Sequence, residues 1–144
     1  MAGAGPFRID LPVRFADVDY ARVMYFPRML DLTHVAMEEF FARGVGKSYA
    51  VMVVDERIGF PTVHLECDFV RPLRFGDVAE VAIDVLEVGA RKVVFRYAVA
   101  NRGAPSFSVR QTAVAIDPVE FRSIDIPPFY RDAFARYRAA ELAS

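Results

Sequence analysis

Strand-like and helical hydrophobic periods alternate along the chain and set out its elements. Phe7, Ile9, Leu11, Val13 and Phe15 share one parity while Arg8, Asp10 and Arg14 share the other, the repeat of a half-buried strand. From Pro27 the period is helical, with Leu30, Thr33, Met37, Phe40 and Phe41 on one side. Pro27 suits the first helical position, where its missing N–H costs nothing, and Gly44 offers a C-terminal stop. Met29, Leu32, Val35 and Ala36 widen the apolar stripe past half the circumference, which predicts a helix buried on several sides.

From residue 49 onward the period becomes two. The pattern predicts strands over Tyr49–Ile58, Thr62–Arg71, Val78–Val88, Lys92–Asn101 and Ser106–Asp117. Turn chemistry separates them: Gly59-Phe-Pro61, Pro72 through Gly76-Asp77, Gly89, and Asn101-Arg-Gly103. Such short links favour antiparallel pairing. After Ile126-Pro-Pro128 the spacing of Phe129, Phe134, Tyr137 and Leu142 among charges predicts a C-terminal helix. One nearly all-apolar helix against one long antiparallel sheet is a two-layer α+β arrangement, whose sheet edge then needs a partner or a charge guard. No repeat or linker interrupts residues 1–144, which are expected to form a single domain.

Composition narrows the function classes. Hydrophobic residues make up 54% of the 144, with 13 Phe, more than a free-standing monomer of this size ordinarily hides, so a subunit interface is expected. The 18 basic and 19 acidic residues are well mixed at a net charge of −1, which argues against nucleic-acid and membrane-surface partners. One cysteine, Cys67, excludes an intramolecular disulfide framework, and no Cys/His spacing suggests zinc. No apolar run reaches the ~20 residues of a membrane span. Met1-Ala-Gly-Ala-Gly-Pro6 lacks the charged and apolar regions of a secretory signal, so a cytoplasmic location is expected.

The candidate chemistry lies between the first strand and the helix, where Asp17 and Asp19 stand in a short loop. A carboxylate near a helix N-terminus has unpaired backbone N–H groups as neighbours, and those donors stabilise negative charge developing on a substrate. The bland alternative is that the two acids cap the helix or pair with Arg14 and Arg22. Asp31, His34 and Glu38 fall on one helix face, as a second acid–base site, a polar handle for a substrate group, or a polar seam at a subunit contact. His64 shares the polar parity of its strand with Glu66 and Asp68, and Cys67 shares the apolar parity with Val63, Leu65 and Phe69, so neither reads as catalytic. No Gly-x-Ser-x-Gly elbow is present.

Phe15-Ala-Asp-Val-Asp-Tyr-Ala-Arg-Val-Met-Tyr-Phe-Pro27 resembles the signature of the 4-hydroxybenzoyl-CoA thioesterase family of hotdog-fold proteins. Phe69-Val-Arg-Pro-Leu-Arg-Phe-Gly-Asp77 looks like that family's strand, Arg-Pro and Gly-Asp turn, and Arg91-Lys92 and Ile124-Asp-Ile-Pro127 are similar to its later landmarks. The resemblance implies a hotdog fold, a long central helix wrapped by a curved antiparallel sheet. It also implies hydrolysis of an acyl- or aryl-CoA thioester to free acid and CoA, with no cofactor, in a homodimer or a tetramer of two dimers. Residue by residue, Asp19 matches the catalytic aspartate and Asp17 the first, usually structural, acid. The backbone N–H of Phe26 matches the group that polarises the thioester carbonyl, and Arg91 and Lys92 stand where the family places cations near the CoA phosphates.

Two departures bear on the site. The family's turn after the aspartate commonly carries a Gly, where this chain has Tyr20-Ala21-Arg22. Glycine adopts positive φ freely and arginine only at a cost, so a different loop path is expected, with Arg22 placed to reach substrate or phosphate. His34 stands where relatives often carry an acid, which bears on substrate preference. Tyr20, Tyr25 and Phe26 at the same site point to an aryl or medium-sized acyl group. Three alternatives remain open at this stage. They are a thioesterase acting on carrier-protein-bound acyl or polyketide chains, a dehydratase using His34, and a non-catalytic acyl-CoA binding protein.

Overall fold

The computed structural model describes residues 5–139, so Leu142 and Met1 to Ala4 lie outside the described residues. Five strands form one antiparallel sheet in the order β1-β3-β4-β5-β2, with β1 at Phe7–Pro12, β2 at Thr62–Phe69, β3 at Val78–Val88, β4 at Lys92–Asn101 and β5 at Ala104–Val114. A 14-residue helix, α1 (Phe26–Glu39), lies against its concave face, and a short C-terminal helix, α2 (Pro128–Arg136), covers the end of the layer. This is the expected hotdog arrangement.

The alternation read in β3 and β4 decides which face is inside. Ala79, Val81, Ile83 and Val85 of β3, and Val93, Phe95, Tyr97 and Val99 of β4, are buried together with Met29, Leu32, Ala36 and Met37 of α1 and with Phe40 just beyond it. Val35, counted in the apolar stripe, remains 47% exposed. Around Phe41 the rings of Phe60, Phe95, Tyr130 and Phe134 meet at centroid distances of 5.8, 6.3, 6.3 and 5.9 Å, mostly edge to face or tilted. Each fully buried Phe contributes about 1.5–3 kcal/mol by area alone.

Four expectations are corrected. The segment Tyr49–Ile58 is not a strand: it is helical, with a wide π-type turn at Val51–Asp55. Its inward residues are Tyr49, Met52, Val53 and Glu56, at helical spacing, and the hydroxyl of Ser48 accepts from the Val51 N–H at 3.3 Å. The helix does not stop at Gly44. It widens into a π-type turn over Phe40–Val45 and ends at Gly46, at φ +102. Gly44 is a close-packing position, where a Cβ would lie 3.0 Å from the Phe40 ring and 3.2 Å from the Tyr137 hydroxyl. Phe15 leaves the first strand for a single turn of 3₁₀ helix and stands exposed, edge-on to Phe75 at 5.6 Å. The last long strand ends at Val114, and Ile116–Asp117 (β6) pairs separately with Arg122–Ser123 (β7).

The two ends of the sheet carry different loops. β1 ends, β3 begins, and β4 turns into β5 at one end, and the connection from β2 to β3 also stays there. The Gly89–Lys92 turn lies at the other, roughly 35 Å away along the 11 residues of β3. β2 is an edge strand, paired only with β5, and Val63, Leu65 and Phe69 on it are 60%, 41% and 50% exposed. No helix among the described residues is long and apolar enough to cross a membrane.

Candidate active site

Residues 17–25 fold into a minimal hairpin that feeds directly into α1. The Tyr25 N–H donates to the Asp17 carbonyl at 3.0 Å, Val18 and Met24 form a bridge, and the Asp19 N–H donates to the Val23 carbonyl at 3.1 Å. The turn closes with the Arg22 N–H on the Asp19 carbonyl at 2.9 Å, an aspartate being favoured at the first position of such a turn. Arg22 itself takes the positive φ, +68°, at the place where a glycine would be unstrained. A Met24 N–H bond to the Leu73 carbonyl at 2.6 Å ties the hairpin to the β2–β3 connection.

The two acids are held differently. Asp17 turns back on its own loop, its Oδ2 accepting from the Arg14 N–H at 2.9 Å while its N–H donates to the Arg14 carbonyl at 2.9 Å. Asp19 is exposed, and its Oδ1 accepts from the Ala21 N–H at 2.8 Å. Its Oδ2 has no hydrogen-bond partner among the described residues. One oxygen therefore orients the carboxylate, and the other is open for attack or proton transfer.

Among the described residues, the first three positions of α1 leave one N–H without an acceptor. Tyr25 is the N-cap, Pro27 has no N–H, and the Arg28 N–H is already bonded to the Tyr25 carbonyl at 2.8 Å. That leaves the Phe26 N–H, which donates to no described residue and sits at the positive end of the helix dipole. Tyr20 is fully exposed, and Tyr25 and Phe26 are 51% and 60% exposed with their rings 5.7 Å apart. Phe15 and Phe75 extend this aromatic rim.

His34 stands two turns along α1, about 12 Å from Phe26 at 1.5 Å per residue. Its Nε2 lies 3.0 Å from the Glu38 carboxylate and its ring 6.0 Å from that of Tyr49. Asp31 turns instead toward Arg28, at 3.7 Å, so the three polar residues of this helix face form no single cluster. A cleft of about 210 Å³ opens beside His34 and is lined by Leu30, Met37, Thr62, Leu65 and Gln111. Behind it the buried Tyr97 hydroxyl donates to Gln111 Oε1 at 2.6 Å, and Gln111 Nε2 donates to the Thr62 hydroxyl at 2.6 Å. Burial holds the Tyr97 hydroxyl well above the ordinary tyrosine range, and burial with the Glu38 charge raises Tyr49 as well. The Cys67 thiol, half-buried on β2, is pushed up by desolvation and by Asp68, which leaves it a poor nucleophile.

The expected phosphate cations stand apart from Asp19 in this chain. Arg91 and Lys92 occupy the opposite end of the sheet, and each has a carboxylate. Arg91 bonds Asp125 at 3.0 Å and the Ser123 hydroxyl at 2.9 Å, and Lys92 lies 3.1 Å from Glu87. Sequence reading missed the cations at the Asp19 end, Arg71, Arg74 and Arg102. Two of them stand in Arg71-Pro-Leu-Arg74, which served only as a fold landmark, and the third in a segment that served only as a turn.

Known proteins place this architecture. A 1,4-dihydroxy-2-naphthoyl-CoA hydrolase of Picosynechococcus is 30% identical over 122 residues, covering 81% of this chain and 83% of its own. The crystal structure of a thioesterase-superfamily protein from a Jannaschia species superposes with a TM-score of 0.88 at 21% identity, covering 94% of both chains. That of a 1,4-dihydroxy-2-naphthoyl-CoA thioesterase from Synechocystis does so at 0.81 and 23% identity, covering 90% of this chain and 96% of the other. Residues 13–134, from the last inward residue before the acidic hairpin to Phe134 of α2, match the thioesterase-like superfamily, and the chain belongs to it.

Proposed function

We propose that this thioester hydrolase cleaves an acyl- or aryl-CoA thioester to the free carboxylic acid and CoA, with Asp19 as the nucleophile or general base. The observation that carries the reading is the pairing of a carboxylate pinned through one oxygen only with a helix whose first three positions leave one N–H without an acceptor among the described residues, that of Phe26. As a base, Asp19 takes a proton from water as the water oxygen bonds to the thioester carbon. The carbonyl oxygen becomes an oxyanion facing the Phe26 N–H, and the C–S bond then breaks to release CoA thiolate, which is protonated. As a nucleophile, Asp19 bonds to that carbon itself, expels the thiolate and is regenerated when water opens the anhydride.

An aryl acyl group fits the exposed rings of Tyr20, Tyr25 and Phe26, and the relatives named as 1,4-dihydroxy-2-naphthoyl-CoA hydrolases support it. The polar edge of such a group finds His34 and the Thr62–Gln111 pair in the cleft along α1. Arg22 flanks the site on the hairpin turn. The free edge of β2 favours a homodimer in which β2 pairs with its twofold copy, and that antiparallel pairing sets the Asp19 end of one chain toward the far end of the other. Arg91 and Lys92 then reach the site only across that interface. The proposed setting is the cytoplasm.

The test is CoA release from a panel of aryl and alkyl CoA thioesters by wild type and Asp19→Ala. Release by the wild type that collapses in the variant supports the reading. Release that survives in the variant removes Asp19 from the chemistry, and no release from any thioester removes the hydrolase reading. Solvent-oxygen labelling over repeated turnovers separates the two roles, since direct attack places label in Asp19.

A further inference from the structure

We propose that Arg71, Arg74 and Arg102 form an anion site for the 3′-phosphorylated ADP portion of a CoA thioester, at the same end of the fold as Asp19. The inference rests on the CoA-thioester reading above. The β2–β3 connection crosses the β4–β5 turn, and the two enclose a cleft of about 430 Å³ lined by these three arginines with Asn101, Asp77 and Ser106. Val23, whose carbonyl holds the Asp19 N–H, bridges to Arg74 on its other side. Two strand spacings therefore separate Asp19 from the mouth of the cleft, about 10 Å.

The backbones that carry the arginines are fixed, and their guanidinium groups are exposed. The Arg71 N–H donates to the Ser106 carbonyl at 3.0 Å, and the Ser106 hydroxyl donates back to the Arg71 carbonyl at 2.8 Å. The Arg74 N–H donates to Asp77 Oδ2 at 2.8 Å, and the Asp77 N–H donates to the Arg74 carbonyl at 3.0 Å. Arg102 and Gly103 both hold positive φ, +51° and +77°, and Glu80 accepts from the Gly103 N–H at 3.1 Å. An Asn-Arg-Gly hairpin of this kind asks for Asn, Asp or Gly at the Arg102 position, so arginine is kept there against local steric preference.

Charge partition points the same way. Among the described residues, no carboxylate lies within ion-pair distance of Arg71, Arg74 or Arg102, nor of Arg14 or Arg22 on the neighbouring hairpin. At the far end Arg91 and Lys92 are each paired with a carboxylate, and Arg131 and Arg138 are engaged by the backbone carbonyls of Gly89, Ala90 and Leu86. Asp77 is the one acid among the described residues that line the cleft, and its Oδ2 already accepts from the Arg74 N–H. Guanidinium groups on fixed backbones, open to solvent, suit bidentate contact with phosphate oxygens. A concave slot suits a nucleotide better than the surface of a folded acidic protein.

The test uses Arg71→Glu combined with Arg102→Asp, because aspartate tolerates the positive φ of residue 102. Binding of adenosine 3′,5′-bisphosphate is measured by calorimetry on wild type and variant, with thermal melting to confirm folding. The expected result is at least a tenfold rise in Kd, and at least a tenfold rise in the ratio of KM for a CoA thioester to KM for the matching pantetheine thioester. An unchanged Kd and an unchanged ratio overturn the site, as does a rise seen only with Arg91→Gln/Lys92→Gln or a preference for carrier-protein thioesters insensitive to Arg71 and Arg102. If the wild type cleaves no thioester, the hydrolase reading fails, and bisphosphate binding still decides this site.

Discussion

Arg22 donates its N–H to the carbonyl of Asp19 at 2.9 Å while itself holding φ at +68°, so a strained arginine closes the turn that carries the open carboxylate. A non-glycine residue in the left-handed region costs about 1 kcal/mol or more, part of which glycine returns as unfolded-chain entropy. Arg22→Gly is therefore expected to melt at or slightly above the wild-type temperature, and Arg22→Val several degrees below it. The same pair separates geometry from charge. If Arg22 meets substrate, Arg22→Gly raises KM with kcat near wild type. A glycine variant that melts well below wild type would show that the turn does not strain the arginine.

The unequal holding of Asp17 and Asp19 gives a second expectation. Asp19→Asn keeps an oxygen for the Ala21 N–H, so the hairpin is retained, yet it loses the anionic oxygen. Turnover should fall by about 10²–10⁴, the scale of losing a positioned base, with melting temperature unchanged. Asp17→Ala removes the acceptor of the Arg14 N–H and should lower stability by about 1 kcal/mol with a smaller loss of kcat. Equal kinetic losses in both variants would undo the division of roles.

What the linear chain disclosed follows from how local each determinant is. The bounds of β3 and β4 were legible because apolar residues alternate along both, with burial following that alternation through most of β3 and broken in β4 only by the buried run Val93–Phe95, and because Gly89 and Asn101-Arg-Gly103 mark their ends. The Tyr49–Ile58 segment was not, since Val51, Val53 and Val54 favour a strand while Ser48 capping and the insertion of Met52 into the core decide for a helix. The acidic hairpin was legible as a motif, but which oxygen of Asp19 is open depends on the Ala21 N–H. Arg91 looked like a free cation because its partner, Asp125, stands 34 residues away. Arg71 and Arg102 come together only because the β2–β3 connection crosses the β4–β5 turn, which no spacing in the chain announces.

Glu56 links the Gly46–Asp55 segment to α2, and its charge makes that link pH-dependent. Lys47 and the Tyr130 hydroxyl both donate to its carboxylate, and those bonds hold its pKa below the ordinary glutamate value. Lys47 also lies over the Phe129 ring, 4.2 Å from its centroid. The folded state thus binds the Glu56 proton less readily than the unfolded chain, whose glutamate titrates near 4.3. The stabilisation is complete above about pH 4.3 and is lost as pH falls through the lower folded value. Melting curves of wild type and Glu56→Gln should accordingly lie apart at pH 7 and converge toward pH 3. A gap that widens on acidification would reverse the assignment.

The last expectation concerns the exposed edge of β2. Val63, Leu65 and Phe69 stand in solvent on a strand with one unpaired side, and Leu65 also borders the cleft beside His34. Asp19 stands in the hairpin before α1 and His34 two turns along that helix, so a substrate reaching from the carboxylate to that cleft is best served by a second copy turned end for end against β2. Lysines on an edge strand oppose such pairing by repulsion across the twofold axis. Val63→Lys combined with Leu65→Lys should sediment as a monomer with secondary structure intact, and kcat/KM on CoA thioesters should fall at least a hundredfold. A wild type that sediments as a monomer, or a monomeric variant with full turnover, would confine the whole site to one chain.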